Sequence, residues 1–144
     1  MQQAITLARQ AEQQGEVPVG ALLVQNGVCI GEGWNQPIIN HDPSAHAEIN
    51  AIRAAGLAVE NYRLINTTLY VTLEPCIMCM GAITNARIKR LVFGASDPSR
   101  GAVRGVSSLS GAAFLNHQIE SEGGVLAEEC AELLKSFFAK KRKK

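Results

Sequence analysis

Thr67-Thr68-Leu69-Tyr70-Val71-Thr72-Leu73-Glu74-Pro75-Cys76-Ile77-Met78-Cys79 decides the fold. Its first seven residues are β-branched and apolar, the composition of a central strand. Glu74-Pro75 interrupts the pattern, and Cys76 to Ala86 continues it as a helix, so a strand runs straight into a helix start. Proline suits the first helical turn, because it fixes φ and brings no N–H to a place where donors have no intrahelical partner. Ile88 to Phe93 then reads as a second strand. Too much chain separates the two strands for a hairpin, so a parallel pair joined by a βαβ crossover is expected.

Cys76 and Cys79 are three apart, which puts both sulfurs on one helix face, able to grip a single ion. Placed in a first turn, they face orphan N–H groups and the positive end of the helix dipole, which favour thiolate over thiol. Upstream, His46-Ala47-Glu48 opens another helical run, His46 to Ala55, which is expected to stop at Gly56. Asp42-Pro43-Ser44-Ala45 supplies turn and capping residues ahead of it. His46, Cys76 and Cys79 together offer three protein ligands. A structural zinc normally takes four, whereas three leave the open position a catalytic zinc needs for water. Glu48 can stand beside such a metal without binding it, where a general acid/base belongs. Each half alone has plainer readings: C-x-x-C can be a redox pair or half of a structural site, and H-x-E alone says little. Recruitment of Cys29 or Cys130 as a fourth ligand would make the zinc structural.

The 144 residues fit one domain, 1–144, with 140–144 as a basic tail. A chain 47% hydrophobic and 19% charged has the make-up of an ordinary globular protein. Without a bilayer-length apolar run or a signal-like start, a cytoplasmic protein with no membrane partner is expected. In that compartment cysteines serve metals or remain free thiols. Cys29, in a strand-like run, and Cys130, in a C-terminal helix, are therefore expected to be buried packing residues. The net charge of +1 conceals an asymmetry: Lys140, Lys141, Arg142, Lys143 and Lys144 are five of fourteen bases, which leaves nine against thirteen acids in the body. Such a tail is either a solvated helix end or a set of phosphate contacts.

The remaining chain supplies the layers. Ala4, Ile5, Leu7, Ala8 and Ala11 recur at helical spacing within Met1–Gln14, and Gly15 ends that helix. Val19–Val24 and Val28–Trp34 flank Asn26-Gly27, a strong hairpin turn. Residues 35–45 form an irregular loop. From Gly94 to Leu115, glycines and serines indicate a loop with little regular structure, and His117–Gly123 reads as an edge strand. Leu126–Lys140 is a helix with Leu126, Cys130, Leu133, Leu134, Phe137 and Phe138 as its apolar stripe. This alternation predicts a three-layer α/β/α fold around a mixed sheet of about five strands. Both cysteine- and histidine-bearing helix starts would lie at one sheet end, where α/β folds place their sites.

In order, the two motifs spell H-x-E…P-C-x-x-C, the signature of zinc nucleobase deaminases. Gly20-Ala21, Gly33-Trp34-Asn35, Asp42 to Glu48, Thr72 to Ile83 and Val92-Phe93-Gly94-Ala95 resemble the TadA-type tRNA adenosine deaminases, a likeness covering essentially the whole chain. The resemblance implies the cytidine-deaminase fold, a homodimer, one zinc per subunit, and conversion of adenosine to inosine at the wobble position of a tRNA anticodon loop. It makes His46, Cys76 and Cys79 the zinc ligands and Glu48 the proton shuttle. It also implies that Asn35 hydrogen-bonds the target base, that Asp97 approaches the flanking nucleotide, and that Val17 is an apolar part of the base pocket. The chain departs from the family in lacking a few residues ahead of the first helix, and in Pro98–Phe114, where Val103-Arg104-Gly105-Val106-Ser107 is unusual.

The implied chemistry is hydrolytic: water activated on zinc near pH 7 attacks C6 of adenine, while Glu48 takes its proton and delivers protons to N1 and the departing ammonia. A stacked base cannot reach such a site, so the target must lie in a single-stranded loop or be flipped out. Arg87, Lys89, Arg90, Arg100, Arg104 and the tail are the candidate phosphate contacts. The rival with the same zinc logic is a deaminase of a free base or nucleoside, of guanine or cytosine type. A catalytically silent RNA-binding module is the alternative from another class, and Glu48 argues against it.

Overall fold

The computed structural model describes residues 1–103 and 118–143. In chain order its elements are α1 (Gln2–Gln13), β1 (Gly20–Gln25), β2 (Val28–Trp34), α2 (Ala47–Val59), β3 (Thr67–Leu73), α3 (Ile77–Asn85), β4 (Arg90–Ala95), β5 (Glu120–Glu122) and α4 (Ala127–Arg142). The strands form one mixed sheet in the order β2-β1-β3-β4-β5. The hairpin turns at Asn26 and Gly27, both with positive φ (+51° and +77°), the pair a type I′ turn demands. β1 also pairs antiparallel with β3, and β3 runs parallel to β4 through the crossover helix α3. β5 pairs parallel to β4 at the edge, so the edge strand is real but shorter than its sequence pattern. His117, at the start of that pattern, lies outside the described residues, as do Arg104 and the rest of the Gly94–Leu115 span beyond Val103.

Helices cover both faces of the sheet. Ala47, Ala51 and Ala55 of α2 and Met80 and Ile83 of α3 pack with Ala21, Leu23, Leu69, Val71, Leu91 and Phe93. On the other face α1 places Ala4 and Leu7 against Leu22, and Ile5 and Ala8 meet Cys130 and Leu133 of α4. Alternate residues along each strand thus serve opposite layers, as the pleat dictates. Close packing has a local requirement at β2. A Cβ on Gly33 would stand 2.4 Å from the Ala47 carbonyl oxygen and 2.5 Å from the Ala51 nitrogen, so only hydrogen fits between β2 and the first turns of α2.

Several boundaries differ from the sequence pattern. α2 continues through Gly56 to Val59, because a glycine ends a helix only by adopting positive φ, and here Glu60 does so instead (+55°). β4 starts at Arg90, not Ile88, because the chain is still unwinding from α3 there: Arg87 has φ +63° and the Ile88 N–H reaches the Ile83 carbonyl. Cys29 is exposed on β2, whereas Cys130 is buried as expected. Hairpin strands at a sheet edge carry one face toward solvent, which the apolar run Val28-Cys29-Ile30 does not disclose.

Substituting Gly33→Ala is expected to destabilise the chain by about 2 kcal/mol or more, since backbone rather than a movable side chain occupies the space. Gly81→Ala, on α3 with nothing within 4 Å of the added carbon, should be neutral or stabilise by up to about 1 kcal/mol. Denaturant midpoints of the two variants test the contrast directly.

Candidate active site

Both metal-binding motifs sit at helix N-termini, but in the cap position itself. His46 is the N-cap of α2 and Cys76 that of α3, both with extended backbone (ψ 156° and 177°). Cys79 therefore falls in the first turn, while Pro75 precedes the cap instead of standing in the first turn as expected. Asp42-Pro43-Ser44-Ala45 does not cap α2 either. Asp42 accepts hydrogen bonds from the Ser44 N–H (2.9 Å) and hydroxyl (2.7 Å), which tightens the turn leading to His46. Neither cap side chain makes the usual capping bond, and the two lie beside each other. The first N–H of α2 is satisfied from elsewhere, by Oδ1 of Asn35 at 2.8 Å from the Ala47 nitrogen.

His46 Nδ1 lies 3.6 Å from the Cys76 sulfur and 3.5 Å from the Cys79 sulfur. Tetrahedral zinc with Zn–N near 2.05 Å and Zn–S near 2.3 Å separates N from S by about 3.6 Å. The donor set therefore has the chemistry and spacing of a zinc site. Among the described residues, His46, Cys76 and Cys79 form the group able to hold a metal, and neither Cys29 nor Cys130 joins it. A hydrogen bond from Cys79, joined by one from His46, holds the Cys76 sulfur as thiolate, down to about 3. Cys79 is pushed up by the same bond to Cys76 and by burial. His46 is raised by its contact with Cys76. A bound dication displaces thiol protons and keeps both sulfurs as thiolates.

Glu48 is buried (4% exposed) beside these donors. Burial pushes its carboxyl up to about 7; its own backbone N–H and the charge of His46 oppose the shift, and Cys76 reinforces it. A carboxyl poised near neutrality can both accept and return a proton, as acid–base catalysis at pH 7 requires. The site opens into a cleft of about 510 Å³. Val17, Asn35, His46, Glu48, Cys76 and Asp97 all border it, and Cys79 lies fully buried. Asp97 also shapes its own loop, accepting bonds from the Ser99 and Arg100 backbone N–H groups (3.2 and 3.1 Å).

Sequence reasoning missed part of the wall. Leu134 and Phe138 of α4 border the cleft, although the apolar stripe assigned them to the core. Cys130, Leu133 and Phe137 carry the buried face, and the two cleft residues sit one position further round the helix. An apolar stripe wider than one face was the available signal. Phe138 is 43% exposed and meets Phe137 edge-on at 5.3 Å.

The basic residues divide. Arg100 borders the cleft and a smaller depression beside it formed with Pro43, Ile77 and Met78. Arg87 and Lys89 lie at the opposite end of the sheet in a depression with Arg63 and Asn66. Arg90 is paired with Glu122 at 2.7 Å. Lys140, Lys141 and Arg142 form the last turn of α4, with Lys141 over the Phe137 ring; Lys144 lies outside the described residues.

Residues 1–95 match the family model of the cytidine and deoxycytidylate deaminase zinc-binding region. A tRNA-specific adenosine deaminase of Haemophilus influenzae is 54% identical over 143 residues, covering 99% of this chain and 83% of that protein. A structure from work on A-to-I editing by tRNA:A34 deaminases at the wobble position of transfer RNA superposes with a TM-score of 0.91 at 42% identity, covering 93% of this chain and 97% of the other. The guanine deaminase of Bacillus subtilis is also 42% identical, but the match covers 66% of this chain and 61% of that one, with a TM-score of 0.64. The chain belongs to the cytidine and deoxycytidylate deaminase zinc-binding family, on its tRNA-specific adenosine deaminase branch.

Proposed function

We propose that this chain converts adenosine to inosine at the wobble position of a tRNA anticodon, as a single zinc-dependent domain working in a cytoplasmic homodimer with one zinc per subunit. The substrate follows from end-to-end likeness to tRNA adenosine deaminases, against a partial likeness to a guanine deaminase. The observation that carries the chemistry is the buried carboxyl of Glu48 beside a three-donor set that opens into a cleft. Among the described residues no helix is long and apolar enough to cross a membrane. Ile77 and Met78, exposed at the start of α3, offer apolar surface for a second subunit to cover.

His46, Cys76 and Cys79 would hold the zinc, which would supply a Lewis acid able to activate water near neutral pH. Glu48 would take one proton from the attacking water and pass it to N1, then take the second from the new C6 hydroxyl and pass it to the amino group, which leaves as ammonia. One water enters and one ammonia departs, so adenosine becomes inosine. Asn35 has its Oδ1 engaged by Ala47, which turns its amide nitrogen into the donor for the target base. Val17 packs against the base, and Asp97 and Arg100 meet the flanking nucleotide and its phosphate. A volume of about 510 Å³ admits a purine nucleoside with room at the mouth for its neighbours.

The deciding assay measures inosine in an anticodon stem-loop with adenosine at the wobble position, with free adenine, guanine, cytosine and their nucleosides alongside. Turnover of a free base only would overturn the tRNA reading. Glu48→Ala should keep its zinc and lose turnover by about 10²-fold or more. Cys76→Ala should lose metal and activity together, read by elemental analysis and the same assay. Removing residues 140–144 should weaken stem-loop binding and lower the slope of log affinity against log salt, since each lost phosphate contact takes about 0.7–0.9 from it.

A further inference from the structure

Two carboxyl groups besides Glu48 are almost completely buried, Glu16 (1% exposed) and Glu74 (3%). Burying a carboxylate is costly unless its oxygens are hydrogen-bonded, and here the partners are loop backbones. Glu16 Oε1 accepts from the Ile38 N–H at 3.2 Å and Oε2 from the Ile39 N–H at 2.9 Å. Glu74 Oε1 accepts from the Asp97 N–H and Oε2 from the Val103 N–H, both at 3.0 Å. The second loop is moulded tightly around its carboxylate: a Cβ on Gly101 would stand 2.3 Å from Glu74 Cδ, and the Ala102 N–H reaches the Pro75 carbonyl at 2.8 Å.

These loops are the two walls of the cleft. One leaves β2 and contributes Asn35 and Pro37; the other leaves β4 and contributes Asp97 and Arg100. In the sheet order they flank the end of β3, which leads to Cys76. Each carboxylate reaches its loop from the floor. Glu16 directly precedes Val17, and Glu74 stands two residues before Cys76.

Resting on the tRNA reading above, we propose that Glu16 and Glu74 are positioning residues for substrate: each holds one wall in its RNA-receiving shape. Glu16 sets the wall beside the target base, and Glu74 the wall beside the flanking nucleotide. Charge-assisted bonds from one carboxylate to two backbone donors pre-arrange a loop that would otherwise have to be ordered by the RNA. Loss of either bond pair therefore weakens binding of the substrate while leaving the zinc and Glu48 in place.

Glu16→Gln and Glu74→Gln in the full zinc-loaded chain test this, because glutamine keeps the size but presents a donor to one of the two N–H groups. Amide exchange without RNA is expected to quicken about tenfold or more in residues 36–42 for the first variant and in 96–103 for the second, each leaving the other loop unchanged. Zinc content should stay full, and KM for the anticodon stem-loop should rise about fivefold or more with kcat within about twofold. Unchanged exchange in both loops, or a fall in kcat at constant KM, overturns the proposal, as does loss of zinc. Should a glutamine variant fail to fold, Gly101→Ala displaces the second loop with its carboxylate intact, and it must reproduce the exchange and KM changes of Glu74→Gln. A parent protein inactive on the stem-loop would sink the tRNA reading by itself, and the exchange measurements would still decide whether the carboxylates hold the walls.

Discussion

Two helix N-termini must meet closely enough for one imidazole and two sulfurs to share an ion, and the rest of the fold serves that meeting. Unpaired N–H groups at a helix start favour negative charge, so a thiolate there is held by the same dipole that would otherwise attract an anion from solvent. His46 and Cys76 occupy the cap positions, where serine or aspartate would ordinarily bond the helix's own backbone. Both are released from that duty. Asn35 meets the Ala47 donor in place of His46, and one residue thereby ties the β2 exit, the α2 start and the cleft wall together.

The sheet sets the distance between the two starts. β1 and β3 are direct neighbours, and the β2 exit reaches the same end of the sheet as the β3 exit. α2 then has to lie hard against β2, which explains the glycines there: Gly31 and Gly33 each bring strand backbone within van der Waals reach of α2 backbone. On the other strand pair, parallel β3 and β4 with α3 between them put the Cys76 end of α3 and the Asp97 loop at one edge of the same opening.

The metal chemistry and the layer architecture were legible in the sequence because both depend on local pattern. Ligand spacing, β-branched runs and a turn of Asn-Gly act over a few residues, and Thr67–Leu73 fell within its expected bounds. Positions governed by one residue's φ were not legible. Nothing in the local sequence tells Gly56 to remain helical while Glu60 takes positive φ, and the exposure of Cys29 depends on which face of an edge strand meets solvent. Leu134 and Phe138 escaped for a further reason. Their apolar character is common to core and pocket, and only the packing angle of α4 over β4 separates the two uses.

The family match takes in the floor of the cleft and one wall, and leaves out the other wall. The family match ends at residue 95, which takes in His46, Glu48, Cys76 and Cys79 but stops short of Asp97, Arg100, Leu134 and Phe138. The shared part thus carries the three-donor set and the buried carboxyl of Glu48, groups that are not particular to one amino-substituted base. Discrimination then has to come from the walls, since a cleft of about 510 Å³ is too roomy to select a purine by size alone. Walls made of loops would ordinarily be too mobile to discriminate, because selectivity needs groups held to within about half an ångström. Two buried carboxylates bonded to the loop backbones answer that requirement.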